Sequence, residues 1–321
     1  MTKITDIVKT QWHDVYPRID PRRDGSVKYA SKDKSLLITG ASKGIGRSIA
    51  LLHAHTHPKA IILLARNAEH LDSVASEISA INSNIKVITG TVDITDAQAV
   101  STFFTNLRDN EKVGRLDVLF NNAGYLEPCM PFAQQDMANW KRTIESNILG
   151  VGYVTHQFLR HNFAVVGGSP DGTTPGKNKE ALHNVSVITT TSIGSFDYLL
   201  PGFSGYQPSK TWANRFTEFL DAEYGSPSSF GTDGLRALCF HPGGIPTELA
   251  QNLPKFLLDN WRDNGHDSPD LSGGFTAWLL TPEADFLRGR YSSATWDVDE
   301  LVAKKQEILD KDLLKCRVEM E

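Results

Sequence analysis

The sequence SLLITGASKGIG, residues 35–46, carries the strongest structural signal in this chain of 321 residues. Ser35–Thr39 is a short apolar run that ends at Gly40 and predicts a buried strand, and Ile45–His55 predicts a helix. The glycines between them permit a tight turn, and they let backbone N–H groups approach a pyrophosphate beside the partly positive helix N-terminus. We therefore predict dinucleotide binding by Gly40, Ser42, Lys43, Gly44, Ile45 and Gly46. The alternative is a glycine turn that binds nothing.

Short apolar strands and amphipathic helices continue to alternate after this unit. Further strands are predicted at Ala60–Ala65, Ile85–Thr89, Leu116–Phe120, Val185–Thr189, Leu235–Phe240 and about Gly289–Ser293. Helices are predicted at Ala68–Ile81, Ala97–Arg108, Met137–Phe163 and Tyr206–Tyr224. This alternation predicts an α/β fold, a single doubly wound Rossmann-type domain with a mostly parallel seven-stranded sheet.

Both ends of the chain depart from this rhythm. Residues 1–30 are polar and are expected to form an N-terminal arm with a short helix at Asp6–Trp12. The Rossmann-type domain is expected to span residues 31–295, and residues 296–321 to form a C-terminal tail with one charged helix, Asp297–Cys316. The Gly- and Pro-rich stretch 167–179 is expected to be a surface loop.

Composition excludes several classes of protein. The formal net charge of −5 provides no electrostatic attraction to nucleic acid, and no apolar run is long enough to cross a membrane. The three cysteines lie far apart, which suits a reducing compartment, and the cytoplasm is the expected location. His53 and His57 share a helix face, but no carboxylate completes a metal site and Pro58 ends the helix. We expect no metal.

The end of the second strand bears on which nicotinamide cofactor would fit. An acidic residue there would bind ribose hydroxyls and repel a 2′-phosphate. This chain instead has Ala65-Arg66-Asn67. A guanidinium can hold a phosphate through two charge-assisted hydrogen bonds, and Ser42 and Lys43 could assist. These residues favour NADP(H), the alternative being that Arg66 is simply a solvated arginine.

Six motifs then follow one another on the expected elements. They are Thr39–Gly46, Asn121-Asn122-Ala123-Gly124, Asn147, Ser192, Tyr206-Gln207-Pro208-Ser209-Lys210 and Pro242-Gly243-Gly244-Ile245-Pro246-Thr247. Together they resemble the classical short-chain dehydrogenase/reductase family from about Ser35 to Tyr291. The long arm and tail are similar to those of fungal members, some of which serve secondary metabolism.

The residues also fit the chemistry that the resemblance implies. Hydride transfer to a carbonyl leaves an alkoxide that needs a proton, and a phenol with a pKa of about 10 is poorly matched to neutral pH. Lys210 lies four residues after Tyr206 on one helix face, so its cation, with oxidised nicotinamide, would lower the pKa of Tyr206. Ser192 would polarise the carbonyl. The separation of 14 residues between Ser192 and Tyr206 leaves Thr191 and Ser195 as rivals.

Other roles are implied by the resemblance alone. Asn147 would hold a water that connects Lys210 to solvent as a proton relay. Tyr206 and Lys210 would also contact the nicotinamide ribose, and Thr247 the carboxamide. The remaining cofactor contacts are expected from Asp93 and Ile94 at the adenine, from Asn122, Ala123 and Gly124 at its ribose, and from Ile245.

The apolar residues of Glu248–Asp270 predict a substrate lid. Tyr198, Leu199, Leu200 and Phe203 would form the facing wall, with Tyr125, Leu126 and Glu127 beneath. These surfaces favour an apolar or aromatic ketone, or the corresponding alcohol, of moderate size.

The resulting hypothesis is an NADP(H)-dependent oxidoreductase. One alternative is an isomerase or cyclase on the same scaffold, and another is a non-catalytic NADP(H)-binding regulator. The resemblance also implies a homodimer formed through Met137–Phe163 and Tyr206–Tyr224.

Overall fold

The computed structural model describes residues 7–168, 181–196, 201–225 and 234–317. Seven strands form one sheet in the order β3-β2-β1-β4-β5-β6-β7, and every neighbouring pair is parallel. The strands are β1 Ser35–Thr39, β2 Ala60–Ala65, β3 Lys86–Thr91, β4 Val118–Asn121, β5 Ser186–Thr190, β6 Arg236–His241 and β7 Tyr291–Ser293. The predicted doubly wound fold is confirmed, and its sheet is parallel throughout.

Helices cover both faces of the sheet. They are α1 Gly44–Ala54, α2 Ala68–Ile81, α3 Ala97–Asp109, α4 Met137–Ile144, α5 Val151–Val165, α6 Tyr206–Tyr224, α7 Lys255–Asn264, α8 Pro269–Leu279, α9 Val298–Ala303 and α10 Lys305–Asp310. Because side chains alternate along a strand, Leu36 and Ile38 pack with α1, α2 and α8, whereas Leu37 packs with α3, α5 and α6. Two apolar cores therefore hold β1 rigidly between them.

The predicted single helix Met137–Phe163 contains an irregularity. Between α4 and α5 the chain forms a π-helical segment, Glu145–Gly150, which includes Asn147. Hydrophobic periodicity predicts only that the helix continues. In this π-helical segment Asn147 forms hydrogen bonds with Tyr125 and Ser209, which belong to other parts of the chain. Such segments are frequent at functional sites.

The N-terminal arm lies along the C-terminal part of the chain. The helix predicted at Asp6–Trp12 is wrong for the described residues 7–12, which contain no helix. Gln11 forms an antiparallel bridge with Trp296, and the Trp12 amide donates to the Thr295 carbonyl at 2.7 Å. Main-chain partners so remote in sequence replace the local bonds that a helix would make.

The tail also differs from its prediction. The single helix Asp297–Cys316 is wrong, because α9 and α10 are short and the chain then turns at Asp312 and Leu314, both with positive φ. The Leu314 carbonyl accepts from the Tyr291 amide at 2.8 Å, so the tail covers the outer edge of β7.

Most of the predicted loop 167–179 lies outside the described residues. No helix among the described residues is long and apolar enough to span a membrane.

Candidate active site

A cavity of about 700 Å³ opens at the carboxyl ends of β1 to β4. It lies where the strand order reverses between β1 and β4, the place where doubly wound sheets bind ligands. Most residues predicted to bind the cofactor line it, namely Gly40, Ser42, Lys43, Gly44, Ile45, Arg66, Asp93, Ile94, Asn122, Ala123, Gly124, Ile245 and Thr247.

Gly46, Tyr206 and Lys210 lie outside this lining. A Cβ at Gly46 would lie 2.3 Å from the Gly40 carbonyl oxygen, so its role is to let α1 approach the turn closely. Asn122 also has a structural role, because its side-chain amide donates to the Thr39 carbonyl at 3.0 Å.

The basic residues near the end of β2 differ in their partners. Arg66 is exposed and makes no ion pair within the part of the chain that the structure describes. Lys43, by contrast, pairs with Glu248 at the start of the predicted lid. His70 and Arg142 line the same cavity and were missed, because the side of each helix that faces the cleft depends on packing. Of the two basic residues among the predicted phosphate ligands, Arg66 is therefore the one without a carboxylate partner among the described residues.

Asp93 follows β3 and is held in one orientation. Its Oδ1 accepts from the amide and the hydroxyl of Thr95, at 3.0 and 2.8 Å. Partial burial alone would raise the pKa of Asp93, but these hydrogen bonds, with Arg66 and Arg142 nearby, lower it below its usual value. Asp93 is thus an ionised acceptor at the cavity wall.

Ser192, Tyr206 and Lys210 meet beside the cavity. Ser192 follows β5, and its hydroxyl is near enough to the phenol of Tyr206, the first residue of α6, to lower the pKa of that phenol. Lys210 is one helical turn further on, with Nζ 5.5 Å from the centre of the Tyr206 ring. Its ammonium is buried and donates to the Thr190 carbonyl at 2.9 Å. The predicted hydroxyl, phenol and ammonium are therefore adjacent.

The pKa values of this pair move in opposite directions. Burial raises the pKa of Tyr206 to about 12, against the effect of the Ser192 hydroxyl and with a contribution from the negative charge of Glu127. Burial lowers the pKa of Lys210 to about 8. The sequence led us to expect a lowered pKa for the phenol. In the protein itself desolvation dominates, so Tyr206 is protonated at neutral pH.

The two rival hydroxyls are engaged elsewhere. Thr191 Oγ1 donates to the Lys210 carbonyl at 3.1 Å. Ser195 Oγ donates to the Ser192 carbonyl at 2.6 Å and accepts from Asn214 at 2.8 Å. Both are buried, whereas Ser192 is partly exposed and next to the phenol. The geometry therefore favours Ser192.

The π-helical segment brings Asn147 to the same place. Its side chain accepts from the Tyr125 amide at 2.8 Å and donates to the Tyr125 carbonyl and the Ser209 hydroxyl, at 2.9 and 3.0 Å. These bonds tie the segment after β4 to α6. They also orient Asn147 Oδ1 toward Gly124, where Lys210 is a near neighbour.

The predicted lid forms a 3-10 helix, Glu248–Asn252, followed by α7. Asn252 donates to the Leu126 carbonyl at 2.6 Å, and Phe256 is 60% exposed. Of the predicted facing wall, Phe203 is buried, and residues 198–200 lie outside the described residues.

Glu127 is fully buried and accepts hydrogen bonds from the amides at the start of α6. The position of Glu127 in the sequence did not indicate these hydrogen bonds.

Comparison with known proteins agrees with this fold. The family model for short chain dehydrogenases matches residues 34–257. The short chain dehydrogenases mpl6 from Monascus purpureus and citE from Monascus ruber are each 34% identical to this chain over 98% of its length and 96% of theirs. Short chain dehydrogenase andI from Emericella variicolor is 30% identical over 98% of this chain and 97% of its own.

Solved structures share the fold at lower identity. The oxidoreductase yciK from E. coli has a TM-score of 0.67 and 22% identity, covering 88% of this chain and 99% of that one. A short chain dehydrogenase from Shigella flexneri, complexed with NADP, has a TM-score of 0.65 and 22% identity, covering 83% of this chain and 98% of that one.

The chain belongs to the short-chain dehydrogenase family, whose members are oxidoreductases that bind a nicotinamide cofactor. The fungal relatives confirm the likeness inferred from the long arm and tail.

Proposed function

We propose that this protein is an NADP(H)-dependent oxidoreductase that reduces a ketone of moderate size to a secondary alcohol, with Tyr206 as the general acid. The observation that carries the proposal is the buried ammonium of Lys210, 5.5 Å from the centre of the Tyr206 ring, with the hydroxyl of Ser192 near the same phenol. Bound nicotinamide would supply the hydride, and the side chains would control the carbonyl oxygen.

Each side chain has a distinct part in that chemistry. Ser192 and Tyr206 present two hydroxyls to one carbonyl oxygen, and both can donate to it as negative charge develops. Tyr206 then transfers its proton, which it holds at neutral pH because its pKa is raised to about 12. Lys210, with a pKa of about 8, is mostly cationic at neutral pH and stabilises the phenolate that remains.

The space beside Gly124 supports a proton relay through Asn147. A Cβ there would lie 3.1 Å from Asn147 Oδ1 and 3.7 Å from Lys210 Nζ. A residue larger than glycine would therefore crowd Asn147 Oδ1, which lies near the Lys210 ammonium at this point. We propose that a water bound by Asn147 returns protons to Tyr206 by way of Lys210.

The cavity suits a dinucleotide with a 2′-phosphate. The N-terminus of α1 and the amides of the glycine loop face it, which provides donors for a pyrophosphate. Arg66 lies at the end of β2, and no carboxylate is present in Ala65-Arg66-Asn67. The same fold holds NADP in the Shigella flexneri protein. These features support NADP(H) as the cofactor.

The substrate proposal depends on the apolar side chains of the predicted lid. Leu249 lines the cavity, and Leu257 and Trp261 of α7 are half-buried. A Cβ at Gly244 would touch the Trp261 ring at 3.2 Å, so the indole packs on the loop that follows β6. Apolar side chains here favour an apolar or aromatic carbonyl compound.

Turnover should change the nicotinamide absorbance. We expect NADPH to be consumed in step with ketone added and alcohol formed, with NADPH preferred over NADH. A panel of apolar and aromatic ketones with chromatographic product analysis makes the measurement. Product formed without net loss of NADPH would indicate an isomerase or cyclase. Tight NADPH binding without product from any ketone, while Tyr206 is intact, would indicate a binding protein.

Arg66→Gln should weaken NADPH binding much more than NADH binding. Loss of one charge-assisted hydrogen bond to phosphate costs about 1.5–3 kcal/mol, roughly a 10- to 150-fold increase in Kd. Fluorescence titration of both cofactors measures it. Arg108→Gln is the matched control, because Arg108 is on α3 and pairs with Asp109. Equal losses for both cofactors would show that Arg66 does not meet the 2′-phosphate.

We also propose a homodimer that uses α4, α5 and α6. Apolar side chains are exposed on this side, with Leu149 at 43% and Phe219 at 58%. The edge of β7 is covered by the tail, where Arg290 pairs with Asp312 and donates to the Leu313 carbonyl at 2.6 Å. A covered edge strand cannot serve a second interface.

Light scattering should therefore find a dimer of the full chain. Deleting residues 311–321 leaves α9 and α10 in place but exposes the β7 edge, so the truncated protein should associate further into a tetramer. Thermal unfolding checks that it remains folded. A full-length tetramer, or a folded truncated protein that stays dimeric, would contradict the blocking role of the tail.

A further inference from the structure

Glu127 is a buried carboxylate directly behind the first turn of α6. Its Oε1 accepts from the Gly205 and Tyr206 amides, at 2.8 and 3.0 Å. Its Oε2 accepts from the Thr143 hydroxyl of α4 at 2.7 Å. Glu127 has no exposed surface. Both oxygens therefore have hydrogen-bond partners, one at the start of α6 and the other on α4.

The start of α6 needs a capping group that its own sequence does not provide. Gly205, at the N-cap position, has no side chain to accept from the first amides. A carboxylate from elsewhere in the chain satisfies those donors and opposes the partial positive charge of the helix end. A Cβ at Gly205 would lie 3.0 Å from Glu127 Oε1, so this approach leaves little space for a larger residue.

The capped residue is the one that carries the phenol. Gly205 and Tyr206 begin the helix, so the position of the Tyr206 ring depends on what holds these two amides. Thr143 links the same carboxylate to α4, the helix that leads into Asn147. One side chain therefore connects the helix of Tyr206 and Lys210 with the helix that leads into Asn147.

We propose that Glu127 is a positioning residue for the reduction: it anchors the first turn of α6 and places a negative charge close to the Tyr206 phenol. This inference rests on the proposed role of Tyr206. Two other titratable groups among the described residues are close to one member of this pair. They are Lys210, with Nζ 5.5 Å from the centre of the Tyr206 ring, and Cys129, the pKa of which is raised by burial and by the charge of Glu127.

The charge has a defined chemical consequence. Burial raises the pKa of Tyr206, and the negative charge of Glu127 raises it further against the effect of the Ser192 hydroxyl. The phenol consequently stays protonated, as a general acid for ketone reduction must be. Removing the negative charge of Glu127 should favour the phenolate form of Tyr206. The rate of alcohol oxidation should then rise relative to the rate of ketone reduction.

Glu127→Gln tests the charge with little change of shape. The amide oxygen can still accept from both backbone amides, and the NH2 group can donate to the Thr143 hydroxyl. With NADP⁺ bound, we expect the tyrosinate absorbance of Tyr206 to rise about 1 pH unit lower than in the wild type. The falling alkaline limb of ketone reduction and the rising limb of alcohol oxidation should both shift to lower pH. The absorbance difference from Tyr206→Phe isolates the Tyr206 band.

Thr143→Val is the matched control, since it removes a hydrogen bond to Glu127 but keeps the charge. It should lower the thermal unfolding temperature without moving the titration. A Glu127→Gln titration that coincides with the wild type, or an equal shift in Thr143→Val, would overturn the proposal. Activity of Tyr206→Phe decides the proposed function separately, because the absorbance titration reports on Glu127 whether or not Tyr206 is catalytic.

Discussion

Tyr206→Phe is expected to lose nearly all ketone reduction while binding NADPH almost as well as the wild type. The substitution removes the hydroxyl that holds the proton near Ser192, but it keeps the ring beside Lys210. Loss of a positioned general acid costs about 10²- to 10⁴-fold in rate. Single-turnover kinetics with prebound NADPH and a fluorescence titration of the cofactor separate the chemical step from binding.

Tyr224→Phe provides the control for that experiment. Tyr224 is the last residue of the same helix, so its hydroxyl is remote from Ser192. This variant should keep wild-type kinetics. If Tyr206→Phe retained more than a tenth of the wild-type rate, the phenol would not be the general acid.

Ser192→Ala should lower kcat by about 10²-fold or more, the effect of removing one donor from a developing oxyanion. The same change at Ser195 should act mainly on stability. Its hydroxyl is buried between the Ser192 carbonyl and Asn214, and loss of those hydrogen bonds costs about 0.5–1.5 kcal/mol each. Steady-state kinetics and thermal unfolding of both variants distinguish the two roles.

The comparison depends on both variants being folded at the assay temperature. A large kinetic loss in Ser195→Ala together with a nearly normal Ser192→Ala would move the polarising hydroxyl three residues along the chain. It would also mean that the nearness of the Ser192 hydroxyl to the Tyr206 phenol has no part in the chemistry.

The elements that the sequence predicted well are those with local signals. The apolar run Ser35–Thr39, the glycines after it and the helix that follows form one βα unit, and the structure has all three. The spacing of Tyr206 and Lys210 needed only a helix to bring both side chains to one face, and α6 supplies it. The absence of a carboxylate after β2 was also readable directly.

Features that depend on distant partners were missed or mistaken. The arm was expected to contain a helix. That prediction failed because Gln11 forms a bridge with Trp296, a partner almost the whole chain away, which local sequence does not reveal. The sequence predicted that Lys43 would assist in binding phosphate, but in the folded chain Lys43 forms an ion pair with Glu248. The phenol of Tyr206 was expected to have a lowered pKa, but burial and Glu127 raise it.

The sequence by itself determined the succession of strands and helices along the chain and the glycine turn. It also determined which groups were expected to meet at the ends of the strands. Only the tertiary structure decided the π-helical turn at Asn147, the cap that Glu127 provides for α6 and the path of the tail over β7. The physical reason is the range of the interactions. Strands, helices and turns follow from neighbouring residues, whereas desolvation, buried hydrogen bonds and ion pairs exist only after packing has brought remote segments together.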